Sequence, residues 1–239
     1  MNIAIIGYGK MGKTIEQIAT ERGHNIVLKI SSSNADELTV DNLKKADVAI
    51  EMTQPEAAKN NVLLCLEAGV PVTSGTTGWN SDIPLAQQAA KNNNTAFLYA
   101  SNYSVGVNIF FEVNKLLARL MNEQPAYDVN MTEIHHTQKK DSPSGTAITL
   151  ANQVLDAINR KNKWSEEEQG ADILHITALR EEGVPGTHTI NYTSSIDDIS
   201  ITHTAHNRNG FAMGAVLAAE FIADKKGVFT MQDVLGISM

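Results

Sequence analysis

The stretch Glu133-Ile134-His135-His136-Thr137-Gln138-Lys139-Lys140-Asp141-Ser142-Pro143-Ser144-Gly145-Thr146 carries paired imidazoles, paired ammonium groups and carboxylates on one short run ending in small residues. Imidazole and ammonium are the side chains suited to delivering protons near neutral pH. His135 and Lys139 flank a turn, so both can face one bound molecule. Successive side chains in a strand point to opposite faces, so one of His135 and His136 enters a pocket while the other supports it. Ser144 is placed to cap a helix, and the N–H groups around Gly145 and Thr146 at its start form a site for a carboxylate. Two adjacent imidazoles with no third ligand at matching spacing argue against a metal centre, and none is expected. A charged surface turn with an ordinary helix cap is the plain alternative.

A second chemical motif opens the chain. Gly7-Tyr8-Gly9-Lys10-Met11-Gly12 fits G-x-G-x-x-G after an apolar run and before a helical pattern. The first glycine permits a tight turn, the second lets backbone approach a pyrophosphate, and the third lets helix and strand pack closely. The acidic ribose clamp of such folds falls ~20 residues on. Here that place holds Lys29-Ile30-Ser31-Ser32-Ser33, with no carboxylate before Asp36. A cation and hydroxyls suit a 2′-phosphate, so NADPH is expected to serve at least as well as NADH; a solvated strand-end lysine is the alternative. Ser74-Gly75-Thr76-Thr77-Gly78 and Ala100-Ser101-Asn102-Tyr103-Ser104 follow later strands, where small residues with hydroxyl and amide groups can line a nicotinamide pocket or simply make turns. Arg208, between the last strand and last helix, reads equally as a clamp on cofactor or substrate and as a surface ion pair. The remaining imidazoles, His24, His175, His188, His203 and His206, read as structural.

Elements must position these groups. Apolar runs at Asn2–Ile6, Ile26–Ile30, Asp47–Met52, Val70–Thr73 and Thr95–Ala100 alternate with helical patterns, one of them opened by Pro55. That alternation predicts right-handed βαβ units and a Rossmann-like, doubly wound parallel sheet. The pattern then changes. A helix over Val105–Met121 has Phe110, Val113, Leu117, Leu120 and Met121 on its expected buried face. A strand over Tyr127–His135 and a helix from about Ser144 lead to consecutive strands at Asp172–Ala178, Thr187–Thr193 and Ile199–Ala205. Strands without intervening helices predict a smaller α+β domain with a mixed or antiparallel sheet, one face of it Thr-rich and scarcely charged. The final helix, Phe211–Ala223, is apolar enough to pack back on the first domain.

Composition narrows the class. The chain has 239 residues, 42% hydrophobic and 19% charged, with a net charge of −8, which excludes a disordered polyelectrolyte and disfavours nucleic acid as a partner. One cysteine, Cys65, excludes an internal disulfide framework and points to a reducing cytoplasm. No apolar run approaches the ~20 residues that span a bilayer, and the opening residues lack the basic region of a signal peptide.

Together these motifs resemble a known family, the dihydrodipicolinate reductases. Glu133 to Thr146 is similar to that family's signature E-x-H-H-x-x-K-x-D-x-P-S-G-T. The Gly loop, Gly75-Thr76-Thr77-Gly78, Asn102-Tyr103-Ser104-Val105-Gly106-Val107-Asn108 and Phe211-Ala212-Met213-Gly214-Ala215 follow its order along essentially the whole chain. The resemblance implies reduction of the cyclic dicarboxylate 4-hydroxy-tetrahydrodipicolinate to tetrahydrodipicolinate, with NADPH or NADH and loss of water, in lysine and diaminopimelate biosynthesis. It implies His135 as catalytic acid/base and Lys139 as proton donor, with His136, Ser144, Gly145 and Thr146 on the substrate. Gly7, Tyr8, Gly9, Lys10, Met11, Gly12, Gly75, Thr76, Thr77, Ala100, Ser101, Asn102 and Tyr103 would contact the cofactor, joined by Lys29, Ser31 and Arg208 from the residue reading. It further implies a dinucleotide domain over 1–104 completed by 208–239, and a substrate-binding domain over 105–207 that builds a homotetramer through its sheet. Ser142 stands where the family commonly has Ala, and Val184-Pro185-Gly186-Thr187-His188 departs from its usual loop. The rival readings are another small-molecule dehydrogenase, which leaves the His-His run unexplained, and a nucleotide sensor that binds cofactor without turnover.

Overall fold

The structure, a computed structural model, describes residues 1–207 and 209–237; Arg208 therefore lies outside the described residues. In chain order come β1 (Asn2–Ile6), α1 (Lys10–Glu21), β2 (Asn25–Ile30), α2 (Val40–Leu43), β3 (Val48–Glu51), α3 (Pro55–Glu67) and β4 (Val72–Ser74). Next are α4 (Ile83–Asn92), β5 (Ala96–Tyr99), α5 (Val105–Asn122), β6 (Asp128–His135), α6 (Gly145–Ala157) and β7 (Lys163–Ser165). The rest are β8 (Ile173–Arg180), β9 (Gly186–Thr193), β10 (Asp198–Ala205), α7 (Asn209–Ile222), β11 (Gly227–Phe229) and α8 (Met231–Leu235). The chain divides into two compact units, Met1–Val105 with Asn209–Met239, and Gly106–Arg208.

The first unit holds a six-stranded sheet in the order β11-β5-β4-β3-β1-β2. Every pairing in it is parallel. Parallel strands need crossovers, and the helices that make them cover both faces. The period-two rule then splits β1 between two cores. Ala4 and Ile6 pack with Val62, Leu66 and Phe97 on one face, while Ile3 and Ile5 pack with Ile15, Val216 and Ile222 on the other. β2 lies on one side of β1 and β3 on the other, so the connections reverse direction there, and open α/β sheets bind ligands at such a switch point.

Helix α7 packs against α1 and strands β3, β4 and β5. Its buried residues are mostly small, Ala212, Gly214, Ala215, Ala218 and Ala219 among them. Gly214 is required at one contact: a Cβ there would lie 1.7 Å from the carbonyl oxygen of Tyr103. Three short elements of this unit, α2, β11 and α8, escaped the sequence reading, because three to five residues are too few for a period to register.

The second unit holds a five-stranded mixed sheet in the order β10-β9-β6-β8-β7. β9 runs antiparallel to β10 and β6, whereas β8 runs parallel to β6 and β7. Strand β7, with Trp164 its one apolar residue, gave no signal in sequence. Val129, Met131, Leu174, Ile176, Ile190 and Tyr192 form the core with Leu150, Ala151 and Val154 of α6. The expected buried face of α5 needs correction. Phe110 and Met121 are buried, but Val113 and Leu120 are 43% and 60% exposed. The inward row is Val107, Phe110, Asn114, Ala118 and Met121. Polar Asn114 takes a core position because its amide donates to Leu150 O at 3.1 Å and to Gln153 Oε1 at 3.0 Å, which a hydropathy pattern does not reveal.

Gly214→Ala is expected to destabilise the protein by about 1–3 kcal/mol, since backbone must move to admit the methyl group. The check is a lowered denaturant midpoint; an unchanged midpoint would mean that α7 yields freely.

Candidate active site

The second unit's site follows from strand register. On the inward face of the sheet, Met131 of β6 lies opposite Ile190 of β9 and Ile176 of β8. One row further along, Glu133 lies opposite His188 and Ala178, and His135 pairs with Arg180. Val129, Met131, Glu133 and His135 are all buried, so one face of one strand changes from apolar core to chemical groups within four alternating positions. Gly186 leaves room for the imidazole: a Cβ there would come within 3.0 Å of His135 Nε2.

Glu133 is fully buried and organises its neighbours. Its Oε1 accepts from Ser144 N at 3.0 Å and from Arg180 at 3.3 Å. Its Oε2 lies 3.3 Å from His135 Nδ1 and 3.7 Å from His188 Nε2. Burial alone would push this carboxyl up, but hydrogen bonding from His135 and Ser144 outweighs burial and holds it down at about 2. His188 goes the other way. Burial, reinforced by His135 and opposed by Glu133, drives it down to about 4, so its imidazole is neutral at neutral pH. The rings of His135 and His188 meet edge to face at 5.1 Å.

The turn after β6 completes the group. Lys139 donates to both carboxylate oxygens of Asp141, at 2.9 and 2.8 Å. That hydrogen bond lowers the Asp141 carboxyl from its ordinary range. Arg180 also donates to Asp141 O at 2.7 Å, tying the turn to β8. Ser144 caps α6 by accepting from Ala147 N at 3.2 Å, and the same oxygen pairs with His188 Nε2 at 3.1 Å. Ser144 is thus committed to the protein's own structure, whereas Gly145 is exposed with open space about its Cα. His136 is half-buried, and its buried Nδ1 has no hydrogen-bond partner among the described residues.

The sequence argument against a metal rested on a missing third ligand, yet the fold supplies neighbours. Glu133, His135 and His188 offer donor atoms within 4.8 Å of one another. The opposing feature is the Arg180 guanidinium on the same carboxylate. Glu133 carried no role in the sequence reading, although its two-residue alternation with His135 is a signal that places both on one face. His188 and Arg180 gave no such signal, because only register brings them there.

In the first unit, Gly7, Tyr8, Gly9, Ser31 and Ser32 line a cleft of about 580 Å³ at the switch point, with Met52, Thr53 and Gln54 across it. Gly7 has φ +102°, and a Cβ there would lie 2.0 Å from Met52 O, so only glycine fits. Gly12 meets Gly7 O as closely as 2.5 Å from its Cβ position, whereas Gly9 has nothing within 4 Å. Gly9 caps α1 with no side-chain bond, so the helix start presents backbone N–H groups beside an open backbone, as a dinucleotide pyrophosphate requires. Lys10 and Met11 occupy the first turn of that helix. Lys29 is not among the residues lining the cleft: it donates to Glu16 at 2.9 Å, beside the Tyr8 ring. Tyr8 also donates to Glu16. Glu16, on the facing helix, gave no linear signal.

Gly75–Thr77 and Ala100–Tyr103 follow the neighbouring strands β4 and β5 outside the lining of that cleft. Thr77 and Ser101 are exposed, and Gly75, Ala100 and Asn102 half-buried. Thr76 and Tyr103 are buried. Tyr103 donates to Ser74 O at 2.8 Å, and Thr76 donates to Glu51 at 2.9 Å. Glu51, unsuspected from sequence, is a fully buried carboxylate that also accepts from Ser74 Oγ at 2.5 Å and Thr53 N at 3.0 Å.

Residues 1–103 match the family model for the dihydrodipicolinate reductase N-terminus, and residues 106–235 match that for the C-terminus. A 4-hydroxy-tetrahydrodipicolinate reductase of Christiangramia forsetii is 52% identical, covering 98% of each chain. One of Chromobacterium violaceum is 38% identical over 82% of this chain and 75% of its own. A dipicolinate-bound dihydrodipicolinate reductase of Paenisporosarcina has the same fold, with TM-score 0.82 at 21% identity over 98% of both chains. With both halves of the chain matched by that family's models and a relative 52% identical along its length, the chain belongs to the dihydrodipicolinate reductase family of NAD(P)H-dependent oxidoreductases.

Proposed function

We propose that this chain carries out its family's reaction, reduction of 4-hydroxy-tetrahydrodipicolinate to tetrahydrodipicolinate with loss of water, through His135 and Lys139. The carrying observation is the buried row of Glu133, His188 and His135, with half-buried Arg180 at its end, Lys139 in the adjoining turn and the α6 start beside it. When bound, NADH or NADPH supplies the hydride. The chain's own residues provide the accompanying proton and hold the anions. His135 serves as acid/base, and Lys139, tethered to Asp141, as proton donor. The backbone N–H of Gly145, the Thr146 hydroxyl and the half-buried His136 hold a substrate carboxylate at the start of α6, while Ser144 keeps that start in shape.

On the cofactor side, Gly7 to Gly12 cradle the pyrophosphate. Ser31 stands near the ribose with Lys29 behind it, and the Gly75–Thr77 and Ala100–Tyr103 loops serve the nicotinamide. The Lys29–Glu16 pair leaves the end of β2 close to neutral, which fits use of either cofactor. We further propose cytoplasmic residence, supported by the cofactor and by the one buried, unpaired cysteine, Cys65. Among the described residues no helix is long and apolar enough to cross a membrane.

The proposed assembly is a homotetramer joined through the second unit. Ile109, Val113, Leu116, Leu120, Ile196 and Ile199 are all exposed in that unit, and concentrated exposed apolar residues mark association surfaces. The outer sheet face bears Thr187–Thr204 and Thr189–Thr202 hydroxyl pairs in place of charges. Sedimentation at micromolar concentration is expected to give a tetramer; a monomer would remove the assembly.

A coupled assay that generates the substrate in situ, run with each cofactor, tests the activity. His135→Gln or Lys139→Met should lower kcat by roughly 10²- to 10⁴-fold, the usual contribution of a positioned acid. Cofactor binding should survive, and unchanged kcat in both variants would sink the assignment. Gly9→Ala tests the cradle differently. Gly9 has φ −90° and open space, so alanine should leave stability within about 0.5 kcal/mol. The added methyl should nonetheless raise KM for NAD(P)H about tenfold by blocking the approach of phosphate to backbone. Unaltered KM would place the pyrophosphate elsewhere.

A further inference from the structure

We infer that Glu133 is the positioning residue that sets which nitrogen of His135 carries the proton and couples that ring to the substrate-binding start of α6. The inference rests on the reading of His135 as acid/base. Its geometric basis is the division of labour between the two carboxylate oxygens. Oε1 is occupied by Ser144 N and Arg180. Oε2 lies 3.3 Å from His135 Nδ1 and 3.7 Å from His188 Nε2, and among the described residues both Oε2 and His135 Nδ1 are buried with no hydrogen-bond partner elsewhere. A carboxylate accepts and never donates when ionised, so Oε2 favours the form of His135 that bears hydrogen on Nδ1. That leaves Nε2, on the far side of the ring, as the atom that takes and gives the working proton. The opposite oxygen grips the α6 cap, so ring and carboxylate cradle share one anchor.

The surrounding charges are consistent with this role. Facing the carboxylate are His135 on β6, His188 on β9 and Arg180 on β8. Lys139 and Asp141 stand in the adjoining turn, and His203 of β10 lies opposite His188. Against the upward push of burial, His135 and then the Ser144 hydroxyl and N–H keep the carboxylate ionised, and His188, neutral through burial, competes little for its negative charge. The Arg180 guanidinium opposes a divalent cation at the three donor atoms.

Glu133→Gln gives a sharp test, because the two side chains have the same shape. The amide oxygen can still accept from Ser144 and Arg180, but its NH₂ group then points at His135 Nδ1 and demands an acceptor there. Nitrogen-15 NMR of the imidazoles should show His135 in the Nδ1–H form in the unaltered protein and in the Nε2–H form in Glu133→Gln. In the coupled assay, kcat should fall about 100-fold with KM for substrate within about threefold. Loss of the negative charge favours deprotonated imidazole, so the alkaline limb of kcat should move to lower pH by about one unit. Glu133→Asp, which keeps the charge, should restore the position of that limb.

If Glu133→Gln proves too unstable to study, the spectrum of the unaltered protein decides alone: His135 in the Nε2–H form overturns the proposal. So does Glu133→Gln that loses stability but keeps both the Nδ1–H form and the pH limb, or tight zinc uptake by the unaltered protein that Glu133→Gln abolishes. The NMR result does not depend on turnover. A normal tautomer switch combined with a fully active His135→Gln variant would instead reject His135 as the acid/base and leave the coupling to Glu133 intact.

Discussion

A carboxylate removed from water must be answered by donors or it will not stay ionised, and Glu133 shows how much of a fold that requirement commits. Its partners come from four places: the backbone at the start of α6, the end of β8, the next inward position of β6, and β9. None of these groups can shift without leaving a buried charge short of a partner. A mixed sheet suits the task. The antiparallel neighbour brings His188 opposite Glu133, while the parallel neighbour ends at Arg180 beside His135. His135 is therefore held by the register of strands whose remaining inward residues, Val129, Met131, Ile176 and Ile190, are ordinary core.

The first unit solves a related problem in the same way. Glu51 ends β3 fully buried, and its donors come from Thr53, Ser74 and Thr76, the residues around the ends of β3 and β4. Thr53 lines the cleft beside the glycine loop, so the carboxylate braces one wall of it while Gly7 and Gly12 bring backbone against backbone on the other. Tyr103 closes the set by donating to Ser74 O. Loops that must be open to a ligand on one side are thus fixed by polar bonds from the protein side, where hydrophobic packing would have no directional hold.

The legible part of the sequence is the part governed by short periods. β1 and its glycine loop, the helix opened by Pro55, and the alternating strands of the second unit are set by neighbours one to four residues away, and those periods survive in any fold that uses them. The same locality made His135, Lys139 and the Ser144 cap readable. What escaped depends on pairing over distance. Lys29 is engaged by Glu16 of α1, and His188 joins Glu133 across a sheet. The rotated face of α5 belongs to this class too. Asn114 is inside because α6 offers it Leu150 O and Gln153, while Val113 and Leu120 are left outside.

The chain's net charge of −8 would repel an anionic cofactor and a dicarboxylate if charge acted as a total. It does not, because acidic side chains at the sites are turned to internal use. Glu16 is bound to Tyr8 and Lys29, Asp141 to Lys139, Glu51 to three hydroxyls, and Glu133 to its cluster. What each site offers a ligand is then the positive end of a helix: α1 at the uncapped Gly9, and α6 at the exposed Gly145. Backbone dipoles are fixed in place by the helix itself and need no lysine or arginine whose own counter-charge would have to be displaced. An acidic protein can therefore bind two anions, and the carboxylates it carries nearby are the means of holding the donors in place.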